Sequence, residues 1–242
     1  MKYVFANWKM YLDLKESVEL AGNLSELKID EDIQMNIFVS SLAFTSVLSE
    51  FKDSKITVGA ENVYSIPKGA FTGEVSAQMY KDAGASYALI GHSERRHVFG
   101  ETDEEVGKKI EACFKAGLKV LFCIGEKEEE RSGGKTADLL KKQLAVLSSL
   151  DIPEDGLMIA YEPVWAIGTG NACSPEDAVE AATLIKEDLA EHTDLEIPIL
   201  YGGSVNLENV LSYIGLEEFA GVFVGGASTK LAEFSQILEK AS

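Results

Sequence analysis

The chain has 242 residues, 46% of them hydrophobic and 26% charged, which is ordinary for a globular protein. Its formal net charge of −18 argues against nucleic acid or an anionic membrane as a partner. Three cysteines (Cys113, Cys123 and Cys173) without CxxC spacing, no run long enough to span a membrane, and too short an apolar start for a signal peptide lead to a reduced, cytoplasmic protein without structural zinc.

In chain order, a strand is expected at residues 3–6. A helix follows over 14–27, where Leu14, Val18, Ala21, Leu24 and Leu27 recur with a period near 3.6. Strands are expected at 37–40, 56–59 and 87–90, with Gly84 stopping a helical pattern before the last of these. A helix over 103–116 ends at Gly117, a strand covers 120–124, and a further helix covers 136–147. After a strand at 158–161, Ser174-Pro175-Glu176-Asp177 opens a helix over 174–191: a cap, a proline in the first turn, then acids at the positive end of the dipole. Strands at 199–201 and 222–224 and a helix over 229–238 complete the series.

The strands are nearly continuous in apolar character, as parallel strands buried on both faces are. Parallel neighbours need helical crossovers. Eight such units without a linker predict an α/β fold, one (β/α)8 barrel domain over residues 1–242 with eight parallel strands and outer helices. A doubly wound open sheet can be written from the same alternation. In a barrel, chemistry sits where strands end.

Several of those ends carry polar residues that packing does not call for. The first ends Asn7-Trp8-Lys9, the fourth Gly91-His92-Ser93-Glu94, the sixth Glu162-Pro163. The last two end in Gly202-Gly203-Ser204 and Gly225-Gly226. Glycine pairs ahead of a helix let backbone N–H groups approach an anion, and late barrel strands are a recurrent place for phosphate; the plainer reading is two tight turns. Glu162 is read as a base, since a carboxylate in an apolar site holds a proton more strongly; its plainer role is a rim salt bridge. His92 opens what looks like a first helical turn, whose dipole disfavours imidazolium, so a neutral ring is expected. Lys9 is a cation that could attract an anionic substrate locally, or a solvated lysine. The three arginines, Arg95, Arg96 and Arg131, are expected in fixed ion pairs that support the site. The acidic runs at 101–105 and 128–130 are read as solvated faces and loop ends.

Five segments together resemble the triosephosphate isomerase family: Asn7-Trp8-Lys9-Met10, 91–96, 160–170, Tyr201-Gly202-Gly203-Ser204-Val205 and Val224-Gly225-Gly226-Ala227-Ser228. They fall in that family's order and spacing over essentially the whole chain, and the segment around Glu162 is the most specific. The resemblance implies an aldose–ketose isomerase of glycolysis and gluconeogenesis. It would interconvert dihydroxyacetone phosphate and D-glyceraldehyde 3-phosphate through an enediolate, with no cofactor and no metal. Glu162 would be the base and His92 the neutral electrophile, while Lys9 and Asn7 would stabilise the enediolate and hold substrate. Glu94 and Ser93 would support them, and Gly168, Ser204, Gly225 and Gly226 would offer N–H groups to the phosphate. Ala166, Ile167, Gly168, Thr169 and Gly170 would form a closing lid. The loop 64–74 resembles the family's interface loop, which implies a homodimer contacted through Phe71, Thr72, Glu74 and Arg95. The chain departs from the family at Asn171-Ala172-Cys173, where a lysine and small residues are common, and at Tyr11, where a smaller polar residue is. Two rivals stand beside this reading: another sugar-phosphate barrel enzyme, which would not need Asn7, Lys9, His92 and Glu162 together, and a barrel that binds without catalysis, which would have lost one of the four.

Overall fold

The computed structural model of the chain describes residues 1–166 and 173–242. Eight parallel strands pair in sequence order and close on themselves: β1 (Lys2–Asn7), β2 (Ile33–Val39), β3 (Thr57–Ala60), β4 (Tyr87–Ile90), β5 (Lys119–Ile124), β6 (Leu157–Tyr161), β7 (Ile199–Tyr201) and β8 (Gly221–Val224). β8 returns to β1 with Tyr3 opposite Gly221 and Ala6 opposite Val224. Closure removes the sheet edges and decides between the two topologies that the alternation allowed: this is a (β/α)8 barrel.

The helices around it are α1 (Leu14–Ser25), α2 (Phe44–Glu50), α3 (Ala77–Asp82), α4 (Ser93–Val98), α5 (Asp103–Ala116), α6 (Glu128–Ser132), α7 (Thr136–Leu144), α8 (Pro175–Leu189), α9 (Val210–Ile214) and α10 (Leu231–Ala241). The three longest begin where side chains satisfy the free N–H groups of the first turn. Asp13 and Glu16 form a reciprocal capping box on α1, Thr102 and Glu105 another on α5, and Ser174 accepts from the Asp177 N–H on α8. α5 ends at Gly117 with φ 74°, the left-handed cap that the sequence anticipates. α2, α3, α6 and α9 have five to seven residues each, too short to carry a visible period, and the sequence reading did not single them out. The expected helix over 136–147 gives way after Leu144 to a 3-10 turn, Ala145–Ser149.

Strand side chains alternate between the lumen and the outer layer. Phe5, Phe38, Tyr87, Leu89, Leu121, Cys123, Met158, Ala160, Leu200 and Phe223 form a compact cluster inside the barrel. Their outward neighbours, such as Val4, Ala6, Val120, Phe122 and Ile159, join a larger cluster under the helices. β2 begins four residues before its expected start, because Gln34 and Asn36 interrupt the apolar pattern. Both are paired: Gln34 Nε2 donates to the Tyr87 hydroxyl at 2.6 Å, and the Asn36 amide meets the Thr57 hydroxyl at 2.9 Å.

One acidic residue departs from the solvated reading of its run. Glu101 is buried and bonded to Lys109 Nζ and, at 3.2 Å, to Arg95 Nε. It needed a cation to be buried, and the sequence offers no local sign that Lys109, eight residues on, would supply one. Among the described residues, no helix is long and apolar enough to cross a membrane.

Candidate active site

The lumen alternation aims two of the expected residues. Asn7 continues the inward set of β1 above Phe5, and Glu162 continues that of β6 above Met158 and Ala160. Glu162 is fixed by its backbone. Its N–H donates to the Ile124 carbonyl at 2.7 Å. Its own carbonyl lies so close to Gly125 that a Cβ there would stand 1.8 Å from the oxygen. Glycine at 125 is therefore a condition for β5 and β6 to approach at this level.

The Glu162 carboxylate is buried, and donors hold both of its oxygens. His92 Nε2 lies 3.0 Å from Oε1, and the Ser93 backbone N–H donates to Oε2 at 3.0 Å. Burial alone would raise the Glu162 carboxyl. His92, the Ser93 amide and the Lys9 cation outweigh it and leave the group below its ordinary value of 4.5. The expectation of a strengthened base is thus not met in this arrangement, because the carboxylate is well bonded.

His92 caps α4. Its Nδ1 accepts from the Glu94 N–H at 3.2 Å. A nitrogen that accepts carries no proton, so the proton of a neutral ring sits on Nε2, where it can donate to Glu162. Preceding it, Gly91 takes φ 72°, and a Cβ there would meet Arg96 Nη2 at 2.9 Å.

Lys9 reaches the same place from β1 through an unusual backbone. Its φ is 51°, left-handed for a residue with a side chain, and its N–H donates to Asn7 Oδ1 at 3.0 Å. Its Nζ lies 2.7 Å from Glu94 Oε1, and Glu94 Oε2 lies 3.8 Å from His92 Nδ1. Asn7, Lys9, His92 and Glu94 therefore converge.

Asn7, Lys9 and His92 stand between two cavities. One, of about 320 Å³, is also lined by Glu162, Ser204, Gly225 and Gly226, with Tyr11 and Lys230 at its rim. Ser204, Gly225 and Gly226 thus share one space with the titratable groups. The other, of about 420 Å³, is lined by Glu61, Glu74, Glu94, Arg95 and Tyr80 among others. There, burial raises the Glu61 carboxyl to about 8, and its Oε1 is buried without a hydrogen-bond partner.

The expected interface residues lie on one loop and one helix. Phe71, Thr72 and Glu74 are exposed, with the Phe71 ring against that of Tyr64 at 4.5 Å. Arg95 is engaged within the chain, by Glu101 and by the Phe99 ring at 5.3 Å. Of the expected lid, Ala166 is buried at the end of a 3-10 turn, Val164–Ala166. Ile167, Gly168, Thr169 and Gly170 lie outside the described residues, as do Asn171 and Ala172.

Two features escaped the sequence reading. Cys123 points inward from β5 toward Glu162, and burial together with the Glu162 carboxylate pushes its thiol well up. Glu126, fully buried, accepts from the Tyr161 hydroxyl at 3.0 and 3.2 Å and from Trp165 Nε1 at 2.9 Å. A cysteine inside an apolar strand reads only as core. Glu126 stands at the strand-five junction, the one signal that could have drawn attention to it.

The family model described as triosephosphate isomerase matches residues 2–241. The triosephosphate isomerase of Lawsonia intracellularis is 41% identical over 244 residues, covering 97% of this chain and 96% of that protein. That of Dictyoglomus thermophilum is 41% identical over 251 residues, covering 98% of each.

Proposed function

The chain belongs to the triosephosphate isomerase family, and we infer that it interconverts dihydroxyacetone phosphate and D-glyceraldehyde 3-phosphate with the residues gathered at the ends of β1, β4, β6, β7 and β8. The carrying observation is the contact of Glu162 with His92 at 3.0 Å in a cavity shared with Lys9, Ser204 and the Gly225-Gly226 pair. Glu162 takes the proton from the carbon beside the carbonyl. His92 Nε2–H polarises the carbonyl oxygen, passes its proton there and recovers one from the neighbouring hydroxyl. Lys9 stabilises the negative oxygen. The Asn7 amide oxygen is engaged by the Lys9 N–H, which leaves its NH₂ group for a substrate oxygen. Ser204, Gly225 and Gly226 offer N–H groups to the phosphate; Gly168 has the same assignment by resemblance.

The low carboxyl value of Glu162 fits this cycle. When substrate draws the His92 proton donor to its own oxygen, Glu162 loses a stabilising bond in a buried place. Burial then acts with less opposition and strengthens the base when it is needed.

The acting form is a homodimer in the cytoplasm, working in glycolysis and gluconeogenesis without a cofactor. Support for the dimer comes from the exposed 64–74 loop with Thr72 near its tip, the 420 Å³ cavity beside Lys9, and exposed Met10, Val98 and Phe99, apolar surface of the kind that a partner covers. Thr72 of one copy would enter that cavity on the other. A steady-state assay with glyceraldehyde 3-phosphate tests the activity; absence of turnover by the intact protein overturns it.

A further inference from the structure

We infer that Arg131 is a positioning residue for the base, holding the backbone on both sides of Glu162 through Glu126 and the Trp165 ring; this rests on Glu162 being the base. Arg131 lies on α6 and lines neither cavity beside the proposed catalytic residues. Its guanidinium carbon stands 4.6 Å from the centre of the Trp165 ring. Nη2 lies 2.7 Å from Asp177 Oδ1 in the first turn of α8, and Nη1 lies 3.8 Å from Glu126 Oε1.

Glu126 is the hub of this arrangement. Its carboxylate takes the Tyr161 hydroxyl and the Trp165 indole, and its backbone carbonyl accepts the Val164 N–H at 2.9 Å. Residues 161, 164 and 165 are thus tied to one side chain and its peptide, and Glu162 lies among them. A buried carboxylate bonded to neutral donors still needs a cation nearby. Arg131 brings that charge together with a flat face on which the indole rests. Asp177 fixes the guanidinium from the far side. Lysine could supply the charge but not the plane.

The consequence is geometric. Both Glu162 oxygens sit at hydrogen-bond distance from their donors. A shift of about 1 Å in a reacting group costs about 10²-fold in rate. Arg131→Met should therefore lower kcat by about ten- to a hundredfold with KM little changed, since nothing that meets substrate is altered. The two tryptophans provide an independent readout. In a ¹H–¹⁵N spectrum, Arg131→Met should move the Trp165 indole peak, assigned with Trp165→Phe, and leave that of Trp8 in place. Arg131→Lys should restore neither rate nor peak.

Wild-type kcat in Arg131→Met overturns the inference, and so does a lowered kcat with the Trp165 peak unmoved or with full rescue by lysine. If Arg131→Met does not fold, Arg131→Lys decides alone: a wild-type rate and an unmoved peak overturn the proposal, and a lowered kcat with a moved peak supports it. A wild type without turnover overturns the reading of the whole site and this inference with it. A wild type that turns over beside an unimpaired Arg131→Met overturns this inference only.

Discussion

Replacing Glu162 with glutamine removes one charge and almost no volume, and two separate effects are expected. The carboxylate faces two donors, His92 Nε2–H and the Ser93 N–H, each at 3.0 Å. A glutamine amide has one accepting oxygen and one donating NH₂ group. His92 cannot turn acceptor at Nε2 without placing a proton on Nδ1, where the Glu94 N–H already points. One donor is therefore left facing another. A buried polar group without its partner costs about 1–3 kcal/mol, and each kcal/mol lowers Tm by about 2–4 °C in a chain of this size. The loss should also depend on pH. Because the folded carboxyl lies below its ordinary value of 4.5, the ionised group stabilises the fold fully above that value. The contribution disappears as pH falls through the depressed folded value. The stability gap between wild type and Glu162→Gln should thus be widest near neutrality and shrink below pH 4.5. In kinetics, kcat should fall by about 10²–10⁴, the usual contribution of a positioned base, with KM changing far less. Urea denaturation at several pH values and steady-state assays measure both. An unchanged stability would refute the hydrogen-bond reasoning, and a near-normal kcat would refute the assignment of the base.

Lys9→Met should raise KM and lower kcat by about 10²–10³, since one cation serves both phosphate attraction and the oxyanion; unchanged constants would reduce Lys9 to the ion-pair partner of Glu94. For His92, ¹⁵N NMR of the free protein at neutral pH should show the proton on Nε2 and a lone pair on Nδ1, and protons on both nitrogens would contradict the hydrogen-bond pattern. The Glu61 carboxyl is raised to about 8, so its protonated form favours the fold, and that contribution should be lost as pH rises from the ordinary carboxylate value through 8. Glu61→Gln should flatten this limb of the stability profile; an identical profile in the variant would show that Glu61 is not its source. Sedimentation should find a dimer of the 26.3 kDa chain, and a fully active monomer at nanomolar concentration would defeat both the dimer and the role of Thr72.

The barrel was legible because its strands are buried on both faces, which leaves short unbroken apolar runs such as 120–124 and 158–161. Where that condition fails, the reading failed. The start of β2 was lost because Gln34 and Asn36 sit inside with partners on β3 and β4, and such pairing leaves no mark on a single segment. Short helices such as α9 turn too few times to show a period. Asn7, Lys9, His92 and Glu162 stood out as polar residues at the ends of apolar strands. Glu126 and Cys123 did not, because their meaning lies in what stands across from them: a hydroxyl and an indole for one, a carboxylate for the other. Glu101 was misread for the same reason, its partner Lys109 standing eight residues on rather than adjacent.

The left-handed backbone at Lys9 sets the requirements of folding against those of chemistry at one position. A residue with a side chain at φ 51° is held at a cost of about 1–3 kcal/mol, and glycine there would escape it. Variants selected for thermal tolerance alone should therefore gather Lys9→Gly. The same variants should vanish from any population required to turn over an anionic substrate, because the side chain lost is the cation between the two cavities. Comparing enrichment at position 9 under the two selections would show how much stability the chain forgoes there, at a site where no consensus toward the more comfortable residue can be followed without losing the reaction.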